Sequence, residues 1–388
     1  MPASSRSARS ATLNRRRFVA LAAGGGVLAA GGCGRRSAPK PTAIAVASPG
    51  AGTPVPVVAG FEDPRRWAGR RVRVGAWGGE VQDALRAAVW QPFAAATGAE
   101  VVEVATDYAQ LAASLDAGAP YADALVADAV WAHGALDGGQ VQALAAETIA
   151  AAPRRPIAPS DHALPAYAYA LVGAYRWDHL AAGPPQSWAE WWDGVRYPEP
   201  RALFKGALGT FEFALLADGV EPTSLYPLDN DRAIESLRRI SGKIVDRWWE
   251  SGQRPVGWLA SERAQLVSAW HHRVVAGMDD GQPIDVVWNE GLLVADRWVI
   301  PAGAENADVA NDLLRYAVSA PIQAALAGQV PLGPIAPEAF ETLADEVAVR
   351  LPTAPDNLSR LVHQDVAWWA TNGLEAEQRF NGWLLGVP

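Results

Sequence analysis

The run Arg71-Val72-Arg73-Val74-Gly75-Ala76-Trp77 leads into Gly78-Gly79. An alternating run that stops in a glycine pair reads as a strand entering a tight turn. Apolar residues then recur at Val81, Leu85, Val89 and Phe93, and this spacing predicts a helix over 80–96. The alternation repeats. Val101-Val102-Glu103-Val104 reads as a strand, 108–117 as a helix, and Ala124-Leu125-Val126-Ala127 as a strand ending at Asp128. Strands alternating with helices specify an α/β fold with parallel pairing. In such sheets ligands sit beyond the carboxyl ends of the strands. Trp77 and Asp128 are both placed there.

Further along, 166–175 reads as a second apolar strand. The stretch 184–272 reads as mostly helical, with Asp229 capping a helix through Ile234, Leu237 and Ile240, and another helix over 258–270. Ile284-Asp285-Val286-Val287-Trp288 and Leu292-Leu293-Val294 return to strand character, and 307–317, 321–327 and 363–383 read as helices. The β-rich regions near 165–176 and 285–301 predict two α/β lobes with the chain passing between them twice. The expected division is 61–165 with 293–345 as lobe one, 166–292 as lobe two, and 346–388 as a C-terminal helical segment. A chain of 388 residues exceeds what one hydrophobic core usually organises, which agrees with two lobes.

The N-terminus has a separate logic. Arg15-Arg16-Arg17-Phe18 precedes an uncharged apolar run over 20–30, the form of a secretory signal and too short to span a membrane. The arginine pair resembles a twin-arginine export signal, and Ala30-Gly31-Gly32-Cys33 resembles a lipobox in which Cys33 would be lipidated. Residues 1–32 are therefore expected to be a signal. Residues 33–60, rich in Pro, Ala, Gly, Ser and Thr, are expected to be a flexible tether reaching ~30 Å. Cys33 is the single cysteine, which excludes an internal disulfide framework, a zinc-thiolate cluster and an iron–sulfur site. From Phe61 onward there are 25 basic and 42 acidic residues, a net charge of −17. Such a body argues against nucleic acid and anionic lipid as partners and favours a cationic ligand.

A wider resemblance rests on an ordered set of segments. These are Trp77-Gly78-Gly79-Glu80, Gln91-Pro92-Phe93, Thr97-Gly98, Ser187-Trp188-Ala189-Glu190-Trp191-Trp192-Asp193, Phe213-Ala214-Leu215-Leu216-Ala217-Asp218-Gly219, Tyr226-Pro227-Leu228-Asp229, Ser268-Ala269-Trp270, Trp288-Asn289-Glu290-Gly291 and Leu351-Pro352-Thr353-Ala354-Pro355-Asp356-Asn357. In order and spacing, across about 70–384, they resemble bacterial extracellular solute-binding proteins of the spermidine/putrescine-binding type. The resemblance implies a two-lobe periplasmic-binding-protein fold with two crossover strands. It also implies a monomeric receptor that delivers a small solute, such as putrescine or spermidine, to the permease of an ABC importer.

A polyamine needs carboxylates for its ammonium groups, aromatic faces over its methylenes and exclusion of water. By the resemblance, Trp77 and Trp270 match aromatic walls of the cleft, and Asp296 matches an ammonium-binding carboxylate. Asp128 is a candidate as a strand-end carboxylate. Glu212, Glu290 and the hinge residue Tyr169 are further candidates. The doublets Trp191-Trp192, Trp248-Trp249 and Trp368-Trp369 are read as helical packing. Two departures bear on the ligand: Val294 stands where polyamine binders carry a tryptophan, and the lobe-two pair of acids is missing near 205–210, where only Glu212 is found. A shorter diamine, or a neutral solute such as a sugar or an amino-acid derivative, remains an open alternative on the same fold. No GxSxG, HExxH or Walker loop is present, and the pair His271-His272 lacks the spacing of a chelate. The expectation is a receptor without catalysis, metal or cofactor.

Overall fold

The computed structural model describes residues 43–46, 55–105, 107–242 and 245–386. The expected export signal and Cys33 lie outside the described residues. Among those residues, ten strands form one mixed sheet: β1 Ala43–Ala45, β2 Arg71–Ala76, β3 Glu100–Ala105, β4 Ala124–Asp128, β5 Ala163–Arg176, β6 Arg201–Phe204, β7 Val245–Trp249, β8 Leu266–Trp270, β9 Ile284–Val299 and β10 Val362–His363. The order is β1-β3-β2-β4-β9-β5-β8-β6-β7, with β10 alongside β9.

The two long strands explain the division into lobes. The C-terminal half of β9 pairs with β4 and with the start of β5, while its N-terminal half pairs with the end of β5. The end of β5 in turn pairs with β8. Both strands thus run through both halves of the sheet, and register shifts interrupt their ladder between Pro165 and Tyr167 and between Leu171 and Gly173. One core gathers Phe61, Trp90, Phe93, Trp298 and Tyr316; the other gathers Trp191, Phe211, Trp249 and Phe380. The helix Val366–Leu384 contributes Trp369, Ala376 and Phe380 to the second core.

The early part of the chain folds as its pattern predicts. β2, β3 and β4 are parallel neighbours, and the helical run after Gly79 continues through Gly79–Leu85, a π-helical turn at Arg86–Trp90 and Gln91–Thr97. Three readings are corrected. Part of the expected tether is ordered: β1 pairs antiparallel with β3, and Val58 is buried. The stretch 184–272 is not mostly helical, since β6, β7 and β8 run through it as parallel neighbours. The expected helix over 258–270 is the end of the helix Arg254–Ala260 followed by β8, and the break falls at Glu262, which adopts a φ of 60°. Strands of a parallel sheet are covered on both faces and lose the alternation that marks a half-exposed strand.

Trp248 and Trp249 consequently lie on a strand rather than a helix. Trp249 is fully buried, and its indole N–H donates to the Ser268 hydroxyl at 3.2 Å. Trp249→Ala leaves a large cavity and should lower stability by ~3–5 kcal/mol, read from the urea midpoint. A shift under ~1 kcal/mol would contradict this packing.

Candidate functional site

The carboxyl ends of the parallel strands converge on one cavity of about 350 Å³. Trp77 follows β2, Asp128 ends β4, Phe204 ends β6 and Trp270 ends β8, and all four line it. Tyr169 of β5 and Val294 of β9 line it from the crossover strands. The turn after Trp77 depends on its glycines, because Gly78 and Gly79 hold φ values of 83° and 62° that other residues rarely adopt. Trp77 itself is 42% exposed, unusual for an indole.

Asp296 lies directly beneath the lining, 3% exposed. Its Oδ2 accepts from Trp77 Nε1 at 2.9 Å and from the Tyr167 hydroxyl at 2.7 Å, while Oδ1 accepts from the Tyr169 hydroxyl at 3.0 Å. Three uncharged donors hold this carboxylate and fix both an aromatic wall and the crossover-strand residue Tyr169. In register, Asp296 stands opposite Asp128 on β4. Burial is the main reason that the Asp296 carboxyl is pushed up to about 7. The field of Asp128 adds to the rise, and the donors from Tyr167, Tyr169 and Trp77 oppose it. The Tyr169 hydroxyl is raised well above its ordinary value, again by burial first and then by the charges of Asp296 and Asp128. Neighbouring Arg297 points to the other face of β9 and donates to the Ala158 carbonyl at 3.0 Å.

Trp270 packs edge-on against Tyr169, with ring centroids 5.3 Å apart, and is backed by Trp249 at 6.2 Å. It precedes the helix His271–Asp279, whose Arg273 reaches across to Glu80 at 2.6 Å. That partly exposed ion pair joins the two lobes beside both tryptophan walls and is worth ~0–1 kcal/mol. His271 accepts from Ala170 N at Nδ1 and donates from Nε2 to the Pro331 carbonyl, at 3.0 and 2.6 Å. Burial lowers it to about 4, so it is a neutral structural residue tying β5 to the Pro331 segment. Among the described residues no group of three or more His, Cys, Asp or Glu side chains is arranged to hold a metal ion.

Two sequence candidates stand apart from the lining. Glu212 is fully buried. It accepts from Gly209 N at 2.7 Å, from the Tyr226 hydroxyl at 2.6 Å and from Trp369 Nε1 at 2.7 Å. It closes the N-terminus of the helix Thr210–Ala217 and fixes Trp369, and burial pushes its carboxyl up to about 7. Glu290, at a φ of 61°, accepts from Trp188 N at 2.8 Å and pins the helix Trp188–Trp192 to β9. Burial raises its carboxyl as well.

The lining also holds residues that the sequence reading passed over: Gln364, Trp369, Gly373 and Glu377. Trp369, Gly373 and Glu377 are four apart on one helix and share a face, a signal visible in the sequence had the doublet not been read as packing alone. The Gln364 Oε1 is buried without a hydrogen-bond partner. Among the described residues the acidic lining residues are Asp128 and Glu377, and no Lys or Arg lines the cavity.

A cavity between two α/β lobes, walled by indoles at strand ends, defines a solute-binding protein. Residues 88–353 match the bacterial extracellular solute-binding protein family, and the chain belongs to it. The family is one of solute receptors, not enzymes. A gamma-aminobutyric acid-binding protein from Pseudomonas aeruginosa is 34% identical over 229 residues. That match spans 58% of this chain and 64% of the relative's length. An ABC transporter substrate-binding protein from Bradyrhizobium japonicum is 30% identical with a TM-score of 0.77, covering 81% of this chain and 99% of that one. The GABA receptor Atu4243 is 30% identical with a TM-score of 0.74, covering 81% and 97%. The fold is the two-lobe periplasmic-binding-protein fold, as the resemblance implied. Two of these relatives are named for γ-aminobutyrate and none of the three for a polyamine.

Proposed function

We propose that this chain is the solute-binding receptor of an ABC importer and that its cleft holds the ammonium end of a small aliphatic amine. The observation that carries this reading is the pair Asp128 and Asp296, opposite one another on neighbouring strands, with Asp128 lining the cavity and Asp296 buried directly beneath it. Like charges directly opposite on a sheet are destabilising, and a bound cation removes that cost. The faces of Trp77 and Trp270 attract the same cation at ~0.5–2 kcal/mol each and cover the methylenes. The relatives' names support γ-aminobutyrate as one such amine. The absence of Lys and Arg from the lining favours a diamine such as putrescine as the second reading. Val294 leaves room where polyamine binders carry a wall, which favours a short or branched solute over spermidine.

A thermal-shift screen of the purified chain against putrescine, spermidine, γ-aminobutyrate, neutral amino acids and sugars tests this. A ligand at 100 times its Kd stabilises by ~2.7 kcal/mol. Stabilisation by a sugar with none by any amine would overturn the amine reading and leave the receptor role in place.

Membership of an extracellular family places the body outside the cytoplasm, and among the described residues no helix is long and apolar enough to cross a membrane. We infer export by the twin-arginine route and anchoring through lipidated Cys33. Cys33→Ala should move the protein from the membrane fraction to the soluble one with ligand binding unchanged. Membrane association that persists in the variant would contradict the anchor.

A further inference from the structure

The cavity has a second acidic jaw. The helix Ala129–Asp137, which Asp128 caps, packs directly against the helix Val366–Leu384 across the cleft. The latter helix belongs to the opposite lobe through Phe380 against Phe211, Trp369 against Glu212 and Arg379 against Asp231. Its cavity face is Trp369, Gly373 and Glu377. A side chain at 373 would crowd the Trp369 ring, since an added Cβ falls 3.2 Å from it. The glycine therefore keeps the floor between indole and carboxylate open. Glu377 is held from behind: its Oε1 accepts from Ala207 N at 2.9 Å and Leu208 N at 3.4 Å, both in the turn after β6. Among the described residues its Oε2 accepts no hydrogen bond. Burial raises this carboxyl, and the two backbone donors oppose the rise.

We propose that Glu377 is the second charge-reading subsite of the cleft, that it takes the far ammonium of a short α,ω-diamine, and that it disfavours an ω-amino acid whose far end is a carboxylate. This rests on the amine reading above. The acid expected from lobe two near 205–210 is supplied instead by the C-terminal helix, whose carboxylate reaches that same turn. A ligand with ammonium groups at both ends meets Asp128 on one jaw and Glu377 on the other. Each contact is a charge-assisted hydrogen bond in a cavity that water leaves on closure.

Glu377→Gln tests this with little disturbance, because the amide oxygen can still accept from Ala207 and Leu208. Calorimetry at pH 8 would use three probes that differ only at the far end: putrescine, n-butylamine and γ-aminobutyrate. The parent chain should bind putrescine at least about tenfold more tightly than n-butylamine. The variant should lose about tenfold or more for putrescine, hold n-butylamine within about twofold and gain affinity for γ-aminobutyrate, whose carboxylate no longer faces a like charge. Equal losses for all three probes would mark Glu377 as a positioning residue for the 207–208 turn and overturn the proposal, as would unchanged putrescine affinity. If the variant melts well below the parent, the comparison of putrescine with n-butylamine on the parent chain decides alone, and equal affinities there overturn the subsite. A parent chain that binds none of the three refutes the amine reading itself, a result visible before any substitution is made.

Discussion

Asp128→Asn should weaken putrescine binding by about tenfold to a hundredfold, the worth of one hydrogen bond to a charged group at ~1.5–3 kcal/mol. The amide keeps the helix cap, since its oxygen can accept from Trp131 N as the carboxylate does at 2.7 Å. What it removes is the charge at the cavity wall. Asp296→Asn should cost a similar factor for a different reason. The site has one oxygen taking two donors and another taking one, so an amide fits with its NH2 turned to the Tyr169 oxygen. Trp77 and Tyr169 therefore stay in place, and the loss reports the buried charge rather than a collapsed wall. Calorimetry on both variants, with thermal melts to confirm folding, checks this. Affinity within about twofold of the parent in both would refute the two-carboxylate site.

Binding should also depend on pH in a direction that the buried Asp296 fixes. Its carboxyl ionises near 7 in the empty receptor because burial disfavours the charge. A nearby ammonium favours the ionised form, so amine affinity should rise with pH and level off above about 8. From pH 8 to pH 6 it should fall by about tenfold, the fraction of Asp296 that is ionised. The stability of the empty receptor should run the other way. An acid whose folded pKa exceeds its unfolded one contributes stability that is fully present below the unfolded value and is lost as pH rises through the folded value. Asp296 and Glu212, both raised to about 7, should each cost the empty receptor roughly 1.4 kcal/mol between pH 6 and pH 8. In Asp296→Asn the pH dependence of affinity should flatten. Affinity that is flat with pH in the parent would mean that Asp296 does not feel the ligand's charge.

Much of this architecture is legible in the chain, and the reason differs by element. β2, β3 and β4 show clear strand boundaries at glycine or at a capping acid, so their ends, and with them Trp77 and Asp128, can be placed from sequence. The second lobe hides its strands. β8 is Leu-Val-Ser-Ala-Trp, buried along nearly its whole length and joined to the preceding helix without a glycine or proline to mark the break. The sequence pattern therefore puts Trp270 at a helix end, whereas it sits at the end of a strand, the position that aims it into the cavity. Glu212 reads as a ligand carboxylate by type and is a helix cap by geometry, because Gly209 three residues earlier offers the N–H that it satisfies. Trp369 and Glu377 share a helix face that the sequence spacing shows, but nothing local says which lobe or cavity that face meets. Phe380 and Trp383 pack that helix onto Trp248, a contact between segments far apart in sequence.

The most direct test of an ammonium seated beside Asp296 is the number of protons exchanged on binding. Titrating the parent chain with putrescine at pH 7, in buffers of different ionisation enthalpy, measures it. The amine stays protonated throughout, and Asp296 passes from about half ionised to ionised, so the account predicts a net release of about half a proton. Binding with no proton released, or with a proton taken up, would contradict it.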